Sequence, residues 1–442
     1  MPLRLSSTRS FQRLRLGPVV LLLVALVAPG RAAPPDSDLR LVVMLTRHGV
    51  RSPLYTNEDL GQFAAQPWPD WSVPKGFLTP HGRQQMTLLG AYCRALYVSA
   101  GLLSGAPPAD RSVVCFRTDS DQRTRETAHD FAAGLLPGVT VEPQARPQNR
   151  LDPLFRAAQL PIGHPDRTLG AAAVAGSIGG DQTAMLQALA PEFATLHRVL
   201  FGDAAPAPGK QDVRNLTAMI TPGTADHTVS LDGPLHTAMQ ITDNLMLEYA
   251  EGMPMAQVGW GRLTPADLTQ LIRLHSLYFN LAHATFYPAQ VQASDLASHI
   301  LLTLEQAANS RPTAGAFGSP QNKLVVLVGH DTNLISLGGL LGLSWWLPGT
   351  QPNPLLPGGA LVFELRQRRS DHQFFIRTYY LSQTLEQTRN LDLLTLDHPP
   401  ARAPIFIPGC STAGPGYDAP LAAFAALTHR VVNPDFVLAD PN

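Results

Sequence analysis

Residues 45–55 read LTRHGVRSPLY. Arg47 and Arg51 flank His48 on what reads as a tight turn, and Pro53 stiffens the segment that carries Arg51. Cations this close repel one another unless an anion sits among them. The planar guanidinium fork suits a phosphate and stays charged at any working pH. A histidine held in such a cage can attack phosphorus and form a phosphohistidine, which divides hydrolysis into two easier steps. GHDTN, 329–333, supplies what the first cluster lacks. Asp331 is the candidate to protonate a leaving alkoxide and then to take a proton from water, with His330 donating to a phosphate oxygen. A third run, DSDQRTRETA at 119–128, adds Arg123 at a helix start, where backbone N–H groups also favour an anion. Arg125 is expected to pair with an acid of the sheet, and Asp119 and Asp121 to cap and orient.

These residues need elements that bring them together. The run 38–49 is apolar and β-branched and predicts a buried strand ending at His48. A second strand is expected over 112–120, and a third, ending in a polar tip, over 322–333 with a helix following it at 334–343. Further strands are expected at 358–367 and 373–382. Thr79 and Pro80 form an N-cap and N1 pair for a long amphipathic helix over 78–103. The run 121–138 predicts another helix, closed by Gly134 or by Pro137 and Gly138. Strands alternating with helices imply an α/β architecture, here a central mixed sheet with helices on both faces plus an inserted, mostly helical domain. Ligands gather at the carboxyl ends of strands in such sheets, and all three polar clusters fall there. The α/β catalytic domain is expected at 38–150 and 263–435, and the insertion at 151–262, with helical patterns at 181–201 and 234–251. AAAVAGSIGGD, 171–181, reads as a turn, because no strand precedes it and its glycines lack phosphate-loop spacing. The Pro/Gly-rich stretch 348–359 reads as a surface loop.

Composition bounds the function class. The net charge of −1 argues against a general nucleic-acid binder, and lysine occurs only at 75, 210 and 323, so any anion site is built from arginine. Arg4, Arg9, Arg13 and Arg15 precede the apolar run 17–30 and the small residues of GRAAPP. This reads as a secretory signal peptide, 1–32, cleaved after Ala32. The run is short for a membrane span and no other stretch is long enough. The mature protein is therefore expected in the periplasm or the medium, with no membrane association after cleavage, and as a monomer. Cys93, Cys115 and Cys410 make an odd count, leaving a Cys93–Cys115 bridge as one option. Cys/His clusters of zinc spacing are absent, so no metal and no cofactor are expected.

The string R-H-G-x-R-x-P at 47–53, with a distal H-D at 330–331, resembles the histidine acid phosphatases. WPDWSVPKGFLTPHG, RTRETAHDFAAGL, EGMPMAQVGWGRL, GHDTNLISLGGLLGLSWWLPG and LPGGALVFE look like the bacterial periplasmic branch, which contains phytases and glucose-1-phosphatases. The resemblance spans roughly 38–430. It implies a histidine-phosphatase-like fold with substrate in the cleft between an α/β and an α domain, no metal and an acidic optimum. It implies His48 as nucleophile, Asp331 as proton donor, and Arg47, Arg51, Arg123 and His330 as phosphate ligands. Two positions depart from the phytase pattern. Leu54 and Tyr55 stand where phytases of this branch carry a Thr-Lys pair, and Asp243 where they carry a glutamate. Both lean toward glucose-1-phosphatase. Phytate would then need other basic groups, such as Arg262 or His81. The partner is a small-molecule phosphate monoester, an inositol phosphate or a sugar phosphate. The alternatives are a phosphoryl-transferring, mutase-like enzyme and a non-catalytic periplasmic sugar-phosphate binding protein.

Overall fold

The apolar run before the first basic cluster forms β1, Ser37–Arg47. Its side chains divide with period two: Leu41, Val43 and Leu45 enter one apolar cluster, Val42 and Met44 the other. A strand buried on both faces lies inside a sheet covered on both sides. The computed structural model describes residues 36–438 except 149, 161, 225 and 226. The expected signal peptide, 1–32, lies outside the described residues.

The other strands are β2 (Val114–Thr118), β3 (Gln144–Ala145), β4 (Met219–Pro222), β5 (Val229–Asp232), β6 (Leu324–Gly329), β7 (Ala360–Arg368), β8 (Phe374–Ser382), β9 (Ala401–Ile405) and β10 (Ala419–Pro420). Eight of them form one mixed sheet in the order β10-β8-β7-β1-β6-β2-β3, with β9 on β8. β1, β6, β2 and β3 run parallel, and β7 to β10 pair antiparallel. β4 and β5 make a separate hairpin within the helical segment, which has no strong strand signal in its sequence.

The longer helices are α1 (Pro80–Ser99), α2 (Gln122–Leu135), α3 (Arg167–Ser177), α4 (Gln182–Ala188), α5 (Ala190–Phe201), α6 (Pro234–Ala250), α7 (Pro265–Phe279), α8 (Phe286–Asn309), α9 (Asp331–Leu341) and α10 (Leu421–Val431). As the sequence predicts, Thr79 caps α1 by accepting the Gly82 N–H, with Pro80 in the first turn. α1 and α2 pack on the Val42 and Met44 face. They touch backbone to backbone: a Cβ on Gly90 would lie 2.0 Å from Phe131 O, and one on Gly134 2.0 Å from Thr87 O. Gly134 is therefore an interior packing residue, and α2 stops at Leu135, before Pro137. The opposite face shares one apolar cluster with α5 to α10.

Three expectations change. The stretch 171–181 is mostly helix, because Asp166 caps α3 by accepting the Leu169 N–H and the alanines sustain it to Ser177. The pattern 181–201 divides into α4 and α5 at Leu189, where Pro191 starts a new first turn. The stretch 348–359 is a surface loop only in its first half, since Pro354 to Gly359 are buried beneath the strand tips. Cys93, Cys115 and Cys410 are each free and buried. Cys93 and Cys115 belong to the clusters on opposite faces of the sheet, which rules out a bridge.

Candidate active site

The sheet register brings the three polar clusters level. Arg47 pairs with Gly329 and Thr118 with Val328, so β1, β6 and β2 end side by side. The turn after β1 is fixed through its backbone. His48 N–H donates to Gly329 O at 3.1 Å, and Gly358 N–H donates to His48 O at 3.0 Å. Gly49 N–H donates to Thr127 Oγ1 at 3.0 Å, and Val50 N–H to Gln85 Oε1 at 3.0 Å. Gln85 Nε2 in turn donates to Pro357 O at 2.8 Å. The turn lies directly on the start of α1: a Cβ on Gly82 would sit 2.1 Å from Val50 O, and one on Gly49 2.8 Å from Met86 Cγ. Glycine at both positions is thus a packing requirement of the motif.

His48 is 2% exposed. Its Nδ1 lies 2.8 Å from Gly49 O, a carbonyl that can only accept. The proton is therefore on Nδ1 and the Nε2 lone pair is free. Burial, then Arg123, Arg47 and Arg51, hold the ring well below the ordinary imidazole pKa. The ring stays neutral in acid, with its Nε2 lone pair available.

Arg47 is fully buried. It donates to Leu355 O, and its Nη2 meets Asp243 Oδ1 at 3.2 Å and Asp331 Oδ2 at 3.1 Å. Arg51 Nη2 meets the other oxygen of Asp243 at 2.9 Å. Asp243, on α6, thus locks the two motif arginines in one relative position. Burial raises its pKa, but Arg51 and Arg47 outweigh burial and hold it at about 2. Asp331 is the first residue of α9, where the helix end favours negative charge. Burial raises its pKa too, and Arg47 brings it below the usual carboxylate range.

His330 sits at the tip of β6, with its N–H on Asn333 Oδ1 at 2.9 Å. Its Nε2 is 2.6 Å from Asp119 Oδ2, and its ring centroid 5.5 Å from that of His48. Burial, then Arg156 and Arg123, push it toward the neutral ring. Arg123, the second residue of α2, meets Asp121 Oδ2 at 2.6 Å and approaches His330 Nδ1 at 3.5 Å. Burial brings it down to about 10, so it remains a cation in acid.

The sequence reading had no role for Arg156. It reaches Asp119 Oδ2 at 2.7 Å, Asp121 Oδ2 at 2.5 Å and His330 Nε2 at 2.8 Å. Among the described residues only Asp119, Asp121 and His330 are grouped closely enough to hold a metal, and the Arg156 guanidinium already takes the cation's place. Arg156 is set by Asp152, which pairs with Arg117 at 2.7 Å and caps the turn Pro153–Arg156 by accepting the Leu154 N–H at 3.1 Å. Arg125, expected to pair with the sheet, makes no ion pair among the described residues. Asp119 and Asp121 orient Arg156, Arg123 and His330, and neither side chain caps α2.

His48, Arg51, Arg123, His330 and Asp331 open on one cleft of about 210 Å³, with Arg156 and Asp243 beside them. Arg47 lies beneath the floor. Leu54 and Tyr55 form a wall of the cleft. Arg262 and His81 are not part of it: Arg262 Nε donates to Val199 O at 2.7 Å, and His81 Nε2 lies 2.8 Å from Thr388 O.

A family model described as histidine phosphatase superfamily (branch 2) matches residues 38–161 and 242–381. Phytase AppA of Escherichia coli (strain K12) is 32% identical over 426 residues, which cover 93% of this chain and 97% of that protein. A glucose-1-phosphatase of Providencia rettgeri is 28% identical over 407 residues, covering 89% of this chain and 93% of that protein. The solved structure of Hafnia alvei phytase in complex with myo-inositol hexakis sulphate matches with a TM-score of 0.82 at 30% identity, over 92% of this chain and all of that one.

Proposed function

The chain belongs to the histidine phosphatase superfamily (branch 2) and is a histidine acid phosphatase, and from that premise we propose that it hydrolyses phosphate monoesters through a phosphohistidine on His48. The observation that carries the assignment is the His48 ring, which is neutral, tied through Nδ1 and surrounded by guanidiniums. In this reading Arg51, Arg123 and His330 bind the phosphoryl group, Arg47 adds its charge from beneath the floor, and together they lower the group's repulsion of the incoming nitrogen. His48 Nε2 attacks phosphorus, and the ester oxygen leaves with a proton from Asp331. Asp331 then accepts a proton from the water that cleaves the phosphohistidine. Arg156 and Asp243 position the ligands and touch no reacting atom.

We assign an inositol phosphate or a sugar phosphate as substrate, since the relatives include both a phytase and a glucose-1-phosphatase. Residues 151–262 serve as a helical insertion that roofs the cleft, a division supported by the family model's gap between 161 and 242. Residues 1–32 direct export to the periplasm or medium. Among the described residues no helix is long and apolar enough to cross a membrane.

His48→Ala is expected to abolish turnover with the fold intact. The unaltered protein, quenched during turnover, is expected to carry an acid-labile, base-stable phosphoryl group. Substantial activity in the variant would remove covalent catalysis at this residue. Phosphate release at about pH 5 from equal concentrations of phytate and glucose 1-phosphate ranks the two substrate classes.

A further inference from the structure

A second cavity, of about 170 Å³, adjoins the segment that follows Arg51. Ser52, Pro53 and Thr56 line it, and Tyr55 lines both it and the catalytic cleft. Asn244 and Glu248 of α6 and Trp68 line it too, and all three are almost fully buried. Each carries a polar atom without a partner among the described residues: Asn244 Oδ1, Glu248 Oε1 and Trp68 Nε1. Buried polar atoms are ordinarily paired, so three unpaired ones around one cavity call for a polar occupant.

The side chains that carry these atoms are fixed by their other contacts. Asn244 Nδ2 donates to Tyr55 O at 2.9 Å, and Glu248 Oε2 accepts the Gly259 N–H at 3.0 Å. Trp68 N–H donates to Asn57 Oδ1 at 2.6 Å, and Asn57 Nδ2 donates back to Trp68 O at 3.1 Å. Trp260 packs on the Trp68 indole with centroids 4.8 Å apart. The site is thus preformed, and an occupant has little to reorder.

The lining selects an uncharged occupant. Burial raises Glu248 to about 8, so in acid it is a neutral carboxylic acid. With Oε2 accepting from Gly259, its proton belongs on Oε1. The interior then offers two donors, Glu248 Oε1–H and Trp68 Nε1–H, and one acceptor, Asn244 Oδ1. A hydroxyl can answer either kind. Charge is confined to the rim, where Asp70 is exposed and exposed Lys75 pairs with Asp59 at 3.2 Å. Trp71 and Tyr55 add half-buried aromatic rings, whose faces suit the C–H surface of a saturated ring. At about 30 Å³ per water the space holds about six waters, room for one such ring with its hydroxyls.

We propose that this cavity is a binding site for a neutral, polyhydroxylated ring, a pyranose or a cyclitol, separate from the catalytic cleft. The inference goes beyond the functional reading above and does not rest on it, since none of the three unpaired atoms belongs to the cleft. The two sites share Tyr55, and Asn244 adjoins Asp243, so an occupant bears on the segment that carries Arg51.

The test titrates the protein with methyl α-D-glucopyranoside and, separately, with myo-inositol at about pH 5, where Glu248 is protonated. Neither compound has a phosphate to transfer. Tryptophan fluorescence, to which Trp68 and Trp71 contribute, and calorimetry report binding. At least one compound is expected to bind with a Kd on the order of 1 mM, and which one does so separates pyranose from cyclitol. Binding is expected to persist when myo-inositol hexakis sulphate, too charged for the cavity, is present to fill the cleft. Glu248→Leu is expected to weaken binding about tenfold, and Glu248→Gln, which keeps a donor in place of Oε1–H and an acceptor for Gly259, to stay within about twofold of the parent. Val73→Phe places a ring in the space and removes no hydrogen bond, and is expected to abolish binding. If Glu248→Leu fails to fold, Val73→Phe decides, and unchanged affinity in it overturns the site. Displacement by the hexasulphate, equal affinities of the two Glu248 variants, or no binding of either compound would each overturn it as well, the last leaving a cavity that holds only water.

Discussion

Glu248 offers a test of the physical reasoning that is separate from catalysis. It lies on α6 five residues after Asp243 and is 1% exposed. Oε2 accepts the Gly259 N–H at 3.0 Å, and Oε1 has no partner among the described residues. Burial pushes the carboxyl from 4.5 up to about 8, against the single N–H that favours its charge. A carboxyl raised on folding binds its proton more tightly in the folded chain. Its contribution to stability is complete below pH 4.5 and is lost as pH rises through about 8. At about 1.4 kcal/mol per pH unit, the loss across that window is about 5 kcal/mol. Glu248→Gln keeps an oxygen for Gly259 and cannot ionise. It is expected to match the parent at pH 4.5 and to exceed it by several kcal/mol at pH 8.5. Urea unfolding at a series of pH values, read from midpoints at constant m, supplies the comparison. Other carboxylates titrate in both proteins and cancel in the difference. A gap between variant and parent that stays constant across the series would refute the argument.

Asp331→Asn is expected to slow esters with poor leaving groups by about 10²-fold or more and activated aryl phosphates far less, and equal slowing of both would remove its proton-donor role. Asp243→Asn leaves Arg47 and Arg51 buried without their shared carboxylate and is expected to cost about 3–5 kcal/mol of stability, measured by denaturation. Inorganic phosphate should raise the Tm of that variant more than the parent's, because an anion returns to the same two arginines; an equal rise would show that Asp243 is not what holds them. Activity is expected to survive chelator, since Arg156 takes the position a metal would need, and loss on chelation would overturn that assignment.

The parts of the site visible in the sequence were those carried by a single strand and its tip. β1 and β6 are apolar enough to identify, and a polar cluster ends each, so His48 and Asp331 can be placed before any tertiary contact is known. Arg123 follows the same rule at the start of α2. Asp243, Arg156 and the Leu355 carbonyl do not, because each meets its partner across a long stretch of chain. Asp243 contacts Arg47 196 residues away, and Leu355 contacts the same arginine 308 residues away. Asp152 and Pro153 do carry a local sign, an N-cap and N1 pair that starts the turn bearing Arg156. The loop at 348–359 misled for a related reason: proline and glycine mark irregular backbone, and irregular backbone is buried here because its carbonyls and amides bond Arg47, Gln85 and His48.

Charge in the cage explains why such a site would work in acid. Arg47, Arg51, Arg123 and Arg156 face Asp119, Asp121, Asp243 and Asp331, so with both histidines neutral the formal charges cancel. A phosphate monoester adds negative charge to a buried, balanced set, and the cheapest correction is a proton on one member. His48 is disfavoured by burial and three arginines. Asp243 is disfavoured because it meets two guanidiniums, one on each oxygen, whereas Asp331 meets only Arg47 and has the more exposed side chain, 13% against 4%. The proton therefore falls on Asp331. Substrate binding itself would then arm the group proposed to protonate the leaving oxygen, and would do so most readily where the monoester arrives as its monoanion, below about pH 6.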